Sequence, residues 1–274
     1  MAKSTPTKAK AKAKAKPAAA SAAAPRPKVT VRTVSAKRNR FDYKGFISRR
    51  VASRDVKLGA LLAEAAAAFV VTAVVLNTSG NVIIAAVAIL VLTTAFWRLS
   101  GGHANPAVTV ALWAGRYISG LRATGYIVAQ ILGAMLAVVV VTQFTATSTQ
   151  IDPSTGMTPH VFSIEKITGD WRPFLAEALG GLVLGLGVAA ARLGRRESLE
   201  AGWLVGGALL LGLILASQGS SALLNPAVAL GVSAYHLDNW WSVWTYALAP
   251  AFGASVGVWL YKAMQWEMNA RDTE

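Results

Sequence analysis

The chain has 274 residues, 54% of them hydrophobic and only 15% charged, with no cysteine and a formal net charge of +14. Ordinary soluble domains are about 25% charged, so this composition points to a membrane, and the missing thiol excludes disulfide scaffolds, cysteine nucleophiles and Cys-ligated metal sites. Three scattered histidines (His103, His160, His236) are too few for a histidine metal cluster, so neither metal nor cofactor is expected.

The charge is unevenly placed. Residues 1–57 carry seventeen Lys and Arg against Asp42 and Asp55, a net of +15, whereas residues 58–274 are close to neutral at −1. Lys alternates with Ala from Lys8 to Lys16, like charges repel and nothing apolar is available to bury, so residues 1–57 read as a disordered basic cytoplasmic tail. Contact of that tail with anionic lipid is the second reading. Nucleic-acid binding is disfavoured because no aromatic or folded reader accompanies the charge. No apolar stretch of signal-peptide type follows the charges, although an organelle transit peptide would share the shortage of acids.

From Leu58 on, six apolar runs suit membrane spans: Leu58–Asn77, Val82–Trp97, Leu121–Phe144, Pro173–Leu193, Gly202–Ala216 and Trp240–Tyr261. The second and fifth are short. Tryptophans 97, 171, 203, 240, 241 and 266 fall near span ends, as an interfacial belt would. Gly181 with Gly185, and Gly253 with Gly257, have the spacing that lets helices approach closely in lipid. Basic residues before the first span and after the fourth (Arg192, Arg195, Arg196) place both termini in the cytoplasm, in a cell membrane.

Two stretches are written twice, 120 residues apart. Asn105-Pro106-Ala107-Val108 returns as Asn225-Pro226-Ala227-Val228, and the Tyr126–Ala134 pattern returns at Tyr246–Ala254. Glu64 and Glu177, each between alanines, form a weaker third pair. Each half, about 58–144 and 172–265, holds three spans, and three is odd, so the halves must be inverted in the membrane. A short carboxyl-terminal tail, 266–274, follows.

Asn is a preferred helix cap, Pro suits the first helical position and Ala propagates the helix. Each Asn-Pro-Ala therefore starts a helix, running on through Ala114 and Ala234, too short to span and too apolar for water. The expected fold is an all-α membrane protein with six transmembrane helices and two re-entrant half-helices in two inverted repeats. Irregular backbone at that depth is tolerated where it lines a cavity. Two converging helix amino termini repel cations. With each Asn oxygen spent on its own helix, the amides of Asn105 and Asn225 are expected to be free to donate to one passing oxygen. The carbonyls of Gly101, Gly102, His103, Ala104, Ser221, Ala222, Leu223 and Leu224 would accept from its hydrogens. A water held by two donors cannot pass a proton along a file, so the pore should take water and small neutral solutes and refuse ions.

Ser100–Thr109, Tyr126–Ala134, Glu64 and Glu177 together resemble the aquaporin and glycerol-facilitator channels, over about residues 58–265. The resemblance implies an hourglass fold, a homotetramer with four pores and passive conduction. It also implies a selectivity constriction, which ungapped counting places at Ala85, Leu213, Ala222 and Val228. The family usually has Arg where this chain has Val228, and glycerol facilitators follow it with Asp where this chain has Ala229. An apolar constriction implies a permissive pore for which glycerol, urea and ammonia are candidate solutes.

Glu64, Glu177 and Gln130 read as braces for the re-entrant loops rather than as a proton relay, which would need a second acid or His on the same path. His103 reads as a loop brace, with pore lining and pH sensing as alternatives. Thr109 bonds back to its own backbone, and Arg116 and Arg122 lie at the cytoplasmic surface. A proton- or ion-coupled secondary transporter is the alternative function, since inverted repeats and broken helices are its signature too. Nothing in the chain combines a nucleophile with a base, so no enzyme is expected.

Overall fold

In a computed structural model the chain is described over residues 56–146, 164, 169–236 and 238–271. The expectations for the tail before residue 56, for His160 and for the last three residues of the carboxyl-terminal tail lie outside the described residues.

The described residues are helical, with no named strand among them. They form α1 (Leu58–Asn77), α2 (Val82–Phe96), α3 (Pro106–Ala114), α4 (Gly120–Ala146), α5 (Trp171–Leu193), α6 (Ser198–Ala216), α7 (Pro226–Gly231), α8 (Trp240–Val243) and α9 (Ala249–Arg271). α1, α4, α5, α6 and the combined stretch Trp240–Met268 are long and apolar enough to cross a membrane. α2 has 15 residues of the same character and completes six. The chain is an integral membrane protein.

Side-chain caps set several starts. Asn81 Oδ1 accepts from the N–H groups of Ile83 and Ile84 at 3.1 Å, and Asp170 Oδ1 accepts from Arg172 N–H at 3.1 Å. The fifth span begins four residues earlier than expected, at Ser198, so it reaches 19 residues; the second gains nothing and stops at Phe96. The last span is not continuous. Pro250 has no N–H to offer the carbonyl of Tyr246, and the helix widens into a π turn over Trp244–Leu248 before α9 begins.

The second half-helix is also shorter than expected, ending at Gly231 rather than Ala234. Ser233 turns left-handed (φ 56°), and Ala234 N–H bonds back to Ala229 O at 2.9 Å while Val232 N–H bonds to Val228 O at 2.9 Å. That is a helix-terminating turn satisfying the last carbonyls, which outweighs the residual helix propensity.

The packing combines pairs within each repeat with pairs that cross between them. α1 lies on α4, α5 lies on α9 and α6, and α2 lies on α6. Half-helix α3 of the first repeat packs on α9 of the second, while α7 of the second packs on α4 and α1 of the first. The long pairs are held close by glycine. A Cβ on Gly253 would stand 1.9 Å from Ala178 O, and one on Gly185 would stand 2.1 Å from Ala254 O. Backbones in such contact gain packing that larger side chains would prevent. The apolar interior draws on both repeats, through Val71, Leu92, Val108, Leu184, Leu209 and Val228.

Candidate functional site

Both asparagines cap their helices. Asn105 Oδ1 accepts from Ala107 N–H at 2.8 Å, and Asn225 Oδ1 accepts from Ala227 N–H at 3.1 Å. Their amides are not wholly free, contrary to the expectation above. Asn105 Nδ2 donates to Leu224 O at 2.8 Å, and Asn225 Nδ2 donates to Ala104 O at 2.9 Å. Each NH₂ has two hydrogens and this bond uses one. The two short helices therefore start against each other, each cap clipped to the residue before the other cap.

The acceptor residues are unusual. Ala104 and Leu224 both have φ 49°, in the left-handed region that costs an L-residue roughly 1–2 kcal/mol. A buried carboxylate holds each of them there. Glu64 Oε2 accepts from Ala104 N–H at 2.8 Å, and Glu177 Oε2 accepts from Leu224 N–H at 2.8 Å. The other oxygens are also engaged: Glu64 Oε1 with Ser100 Oγ (2.5 Å) and His103 N–H (3.0 Å), Glu177 Oε1 with Ser220 Oγ (2.8 Å) and Leu223 N–H (2.9 Å). Both carboxyls are fully buried, and a buried charge needs this degree of hydrogen bonding to persist. Each acid thus fixes the carbonyl that receives the asparagine of the opposite repeat.

The serines complete the loops. Ser100 Oγ accepts from Gly102 N–H and Ser220 Oγ from Ala222 N–H, both at 3.0 Å. Tyr126 OH donates to Ser100 O at 3.0 Å, and Tyr246 OH donates to Ser221 Oγ at 3.0 Å. Ser100 with Ser220 and Tyr126 with Tyr246 are again 120 residues apart, the signal by which sequence reading could have assigned them roles. Thr93 Oγ1 donates to Gly102 O at 3.1 Å, so that carbonyl, like those of Ala104 and Leu224, already has one partner.

One network belongs to the first repeat alone. Gln130 Nε2 donates to Glu64 Oε2 at 2.7 Å and to Thr109 Oγ1 at 3.0 Å, and His103 Nδ1 lies 3.0 Å from Thr109 Oγ1. Thr109 does bond its own backbone, at Asn105 O (3.0 Å), but it also joins these two side chains. Arg192 Nη2 donates to His103 Nε2 at 3.1 Å, which assigns the imidazole proton to Nδ1. An acid and a histidine therefore do share one hydrogen-bonded path, which the sequence reading had not foreseen. Gln130 interrupts it, because an amide N–H does not pass a proton on.

Arg192 has no counterpart in the sequence reading beyond its charge. Its guanidinium stands 4.5 Å over the Trp97 ring and fills the place a Cβ on Gly101 would take, 1.7 Å from Nη2. Gly101 (φ 101°) is thus required twice, by conformation and by space.

Ala85, Leu213, Ala222 and Val228 all line one cavity of about 20 Å³, together with Val71, Val75, Ile89, Leu209 and Asn225 among others. Its named side chains are apolar apart from Asn225. Among the described residues no group of three or more His, Asp or Glu could hold a metal ion.

Crossed inverted repeats, with two half-helices meeting nose to nose within a six-span bundle, define a membrane protein of the hourglass class. Comparison places it more narrowly. Residues 52–261 match the model of the major intrinsic protein family, and the chain belongs to that family, whose members are passive channels, not enzymes. It is 33% identical over 204 residues to Glycerol uptake facilitator protein-like 6 of Lactiplantibacillus plantarum, covering 72% of this chain and 91% of that one. It is 29% identical over 188 residues to Nodulin-26 of Glycine max, and 33% identical over 175 residues to Aquaporin-1 of Mus musculus. Those matches span 68% and 63% of this chain but only 66% and 62% of the relatives, a little under two thirds of each. The aquaglyceroporin from Plasmodium falciparum shares the fold, with a TM-score of 0.52 at 21% identity over 74% of this chain and 91% of that one.

Proposed function

We propose that the chain is a passive channel for small neutral solutes, water included, and that ions and protons are refused where Asn105 and Asn225 meet. The observation that carries this reading is the reciprocal pair of bonds from each asparagine to the residue preceding the other. It holds two helix amino termini together, so their partial positive charges add at one point and repel cations. The second hydrogen of each amide is the donor a passing oxygen would meet.

The cavity walled by Ala85, Leu213, Ala222 and Val228 is the selectivity constriction in this reading. Without an arginine it offers no charged donor and leaves size as the main criterion, which favours glycerol, urea and ammonia beside water. The family includes matches named both for glycerol uptake and as aquaporins, which supports a choice of solute within this class. The carbonyls of Gly101–Ala104 and Ser221–Leu224 supply acceptors along the path, with Gly102, Ala104 and Leu224 keeping one lone pair each.

A homotetramer in a plasma membrane, with both termini cytoplasmic, completes the proposal. Lys57, Arg98, Arg116, Arg122 and Arg192 all border one recess, so the basic starts and ends of α1, α2, α4 and α5 share a face, as the positive-inside rule requires of a cytoplasmic side. The test is solute flux in proteoliposomes. Flux that follows the solute's own gradient and ignores imposed proton and sodium gradients supports a channel; flux driven by either gradient supports the coupled transporter.

A further inference from the structure

The two repeats are related in space as well as in sequence. Asn105 and Asn225, 120 residues apart, exchange equivalent bonds with Leu224 and Ala104, which are also 120 apart. Ala86 of α2 and Gly206 of α6 have the same separation and meet each other: a Cβ on Gly206 would stand 3.0 Å from Ala86 O. A residue that touches its own repeat mate lies on the two-fold axis exchanging the halves, so α2 and α6 cross on that axis.

The same operation carries the four residues read above as the selectivity constriction onto a second set. Leu213 maps onto Thr93, Ala222 onto Gly102, Val228 onto Val108 and Ala85 onto Val205. All four images are buried. The loop backbones correspond as well, because Gly102 and Ala222 are both left-handed, at φ 57° and 51°. The chemistry does not correspond: in place of Leu213 the second set has a hydroxyl. Thr93 Oγ1 donates to Gly102 O at 3.1 Å, which uses its one hydrogen and leaves the oxygen able to accept. A Cβ on Gly102 would stand 2.7 Å from Thr93 Cα, so the loop rests directly on α2 and holds that hydroxyl in place.

We propose that Thr93, with Gly102, Val108 and Val205, forms a second constriction on the other side of the asparagine pair, and that Thr93 Oγ1 is a specificity-determining acceptor for the O–H or N–H groups of a passing solute. The inference rests on the channel reading and on the first constriction being placed at Ala85, Leu213, Ala222 and Val228. The first ring is apolar and sorts by size. The second sorts by the ability to donate a hydrogen bond, so glycerol and urea, stripped of water in the narrow path, find there a partner that the first ring withholds.

The chain has no cysteine, so one substitution introduces the only thiol in the protein. Proteoliposomes carrying Thr93→Cys, Leu213→Cys or Val91→Cys are assayed for water, glycerol and urea flux before and after mercuric chloride; Val91, on the same helix as Thr93, is exposed on the outside of the chain. The reagent should reduce flux through Thr93→Cys and Leu213→Cys to the level of empty liposomes and leave Val91→Cys and the parent unchanged. Reading each variant before the reagent separates a blocked path from a misfolded protein. In a second arm Thr93→Val, which removes the acceptor while keeping the branched shape, should lower glycerol and urea flux relative to water about two- to tenfold, the worth of one neutral hydrogen bond. Thr93→Ser, which keeps the hydroxyl, should retain the parent's ratio. Thr93→Cys conducting undisturbed by the reagent while Leu213→Cys is blocked overturns the second constriction and leaves the channel reading standing. Block at Thr93→Cys with an unchanged solute ratio in Thr93→Val overturns the acceptor role. A parent that conducts none of the three overturns the channel reading, and this inference with it.

Discussion

Ala104 sits between Glu64 and Asn225: its N–H is held by the carboxylate at 2.8 Å, and its carbonyl receives the asparagine amide at 2.9 Å. Leu224 does the same between Glu177 and Asn105. The acid of each repeat therefore positions the asparagine of the other, with a single left-handed residue as the link.

Replacing Glu64 by Gln should cost more stability than replacing Glu177 by Gln. Glu64 Oε2 receives both Ala104 N–H and Gln130 Nε2, and either oxygen of Glu64 made into an NH₂ would face two donors. Glu177 Oε2 receives Leu224 N–H, so a glutamine turned that way opposes one. At about 1–3 kcal/mol per stranded buried donor, thermal unfolding in detergent should rank the variants parent, Glu177→Gln, Glu64→Gln. The reverse ranking contradicts the bracing role.

Asn105→Asp keeps the oxygen that caps α3 but sets a carboxylate against Leu224 O in place of a donor. Beyond losing a bond worth about 1 kcal/mol, the substitution reverses the charge where the helix ends meet. Planar-bilayer recording should show sodium or potassium current through the variant and none above background through the parent. An ion-tight variant would remove the asparagine pair from cation exclusion.

Glycine substitutions should divide by contact. Gly253→Ala drives a methyl into Ala178 O and should cost about 1–3 kcal/mol or more, because two helix backbones must separate. At Gly207 a Cβ meets nothing within 4 Å, and Ala there should be neutral or stabilise by up to about 1 kcal/mol. Unfolding temperatures of the two variants separate these outcomes.

Much of this was legible in the primary structure, and the limits have physical reasons. The 120-residue offset and the Asn-Pro-Ala grammar of helix starts identify the two half-helices, because capping is a local property of three or four residues. The Asn oxygen's use follows from the same locality. The second partner of each amide does not, since it depends on left-handed Ala104 and Leu224, residues whose identity gives no hint of that conformation. Arg192 meeting His103 lies equally beyond reach: 89 residues separate them, and only the packing of α5 brings the guanidinium over Gly101. The early end of α7 reflects a terminating turn at Ser233, which competes with the helix propensity of Ala234.

Val228→Arg introduces a long cation into a cavity of about 20 Å³ bordered by Ala85, Leu213 and Ala222. Glycerol and urea flux should fall about tenfold or more, equivalent to a barrier increase of about 1.4 kcal/mol, with water flux reduced less. An identical solute profile in parent and variant would remove position 228 from the constriction.

The most direct measurement is stopped-flow light scattering of proteoliposomes carrying the full chain, challenged in turn with water, glycerol, urea and ammonia gradients. A permissive apolar constriction between paired asparagines should pass water and at least one of the three solutes well above empty liposomes. Water flux with all three solutes excluded would contradict it.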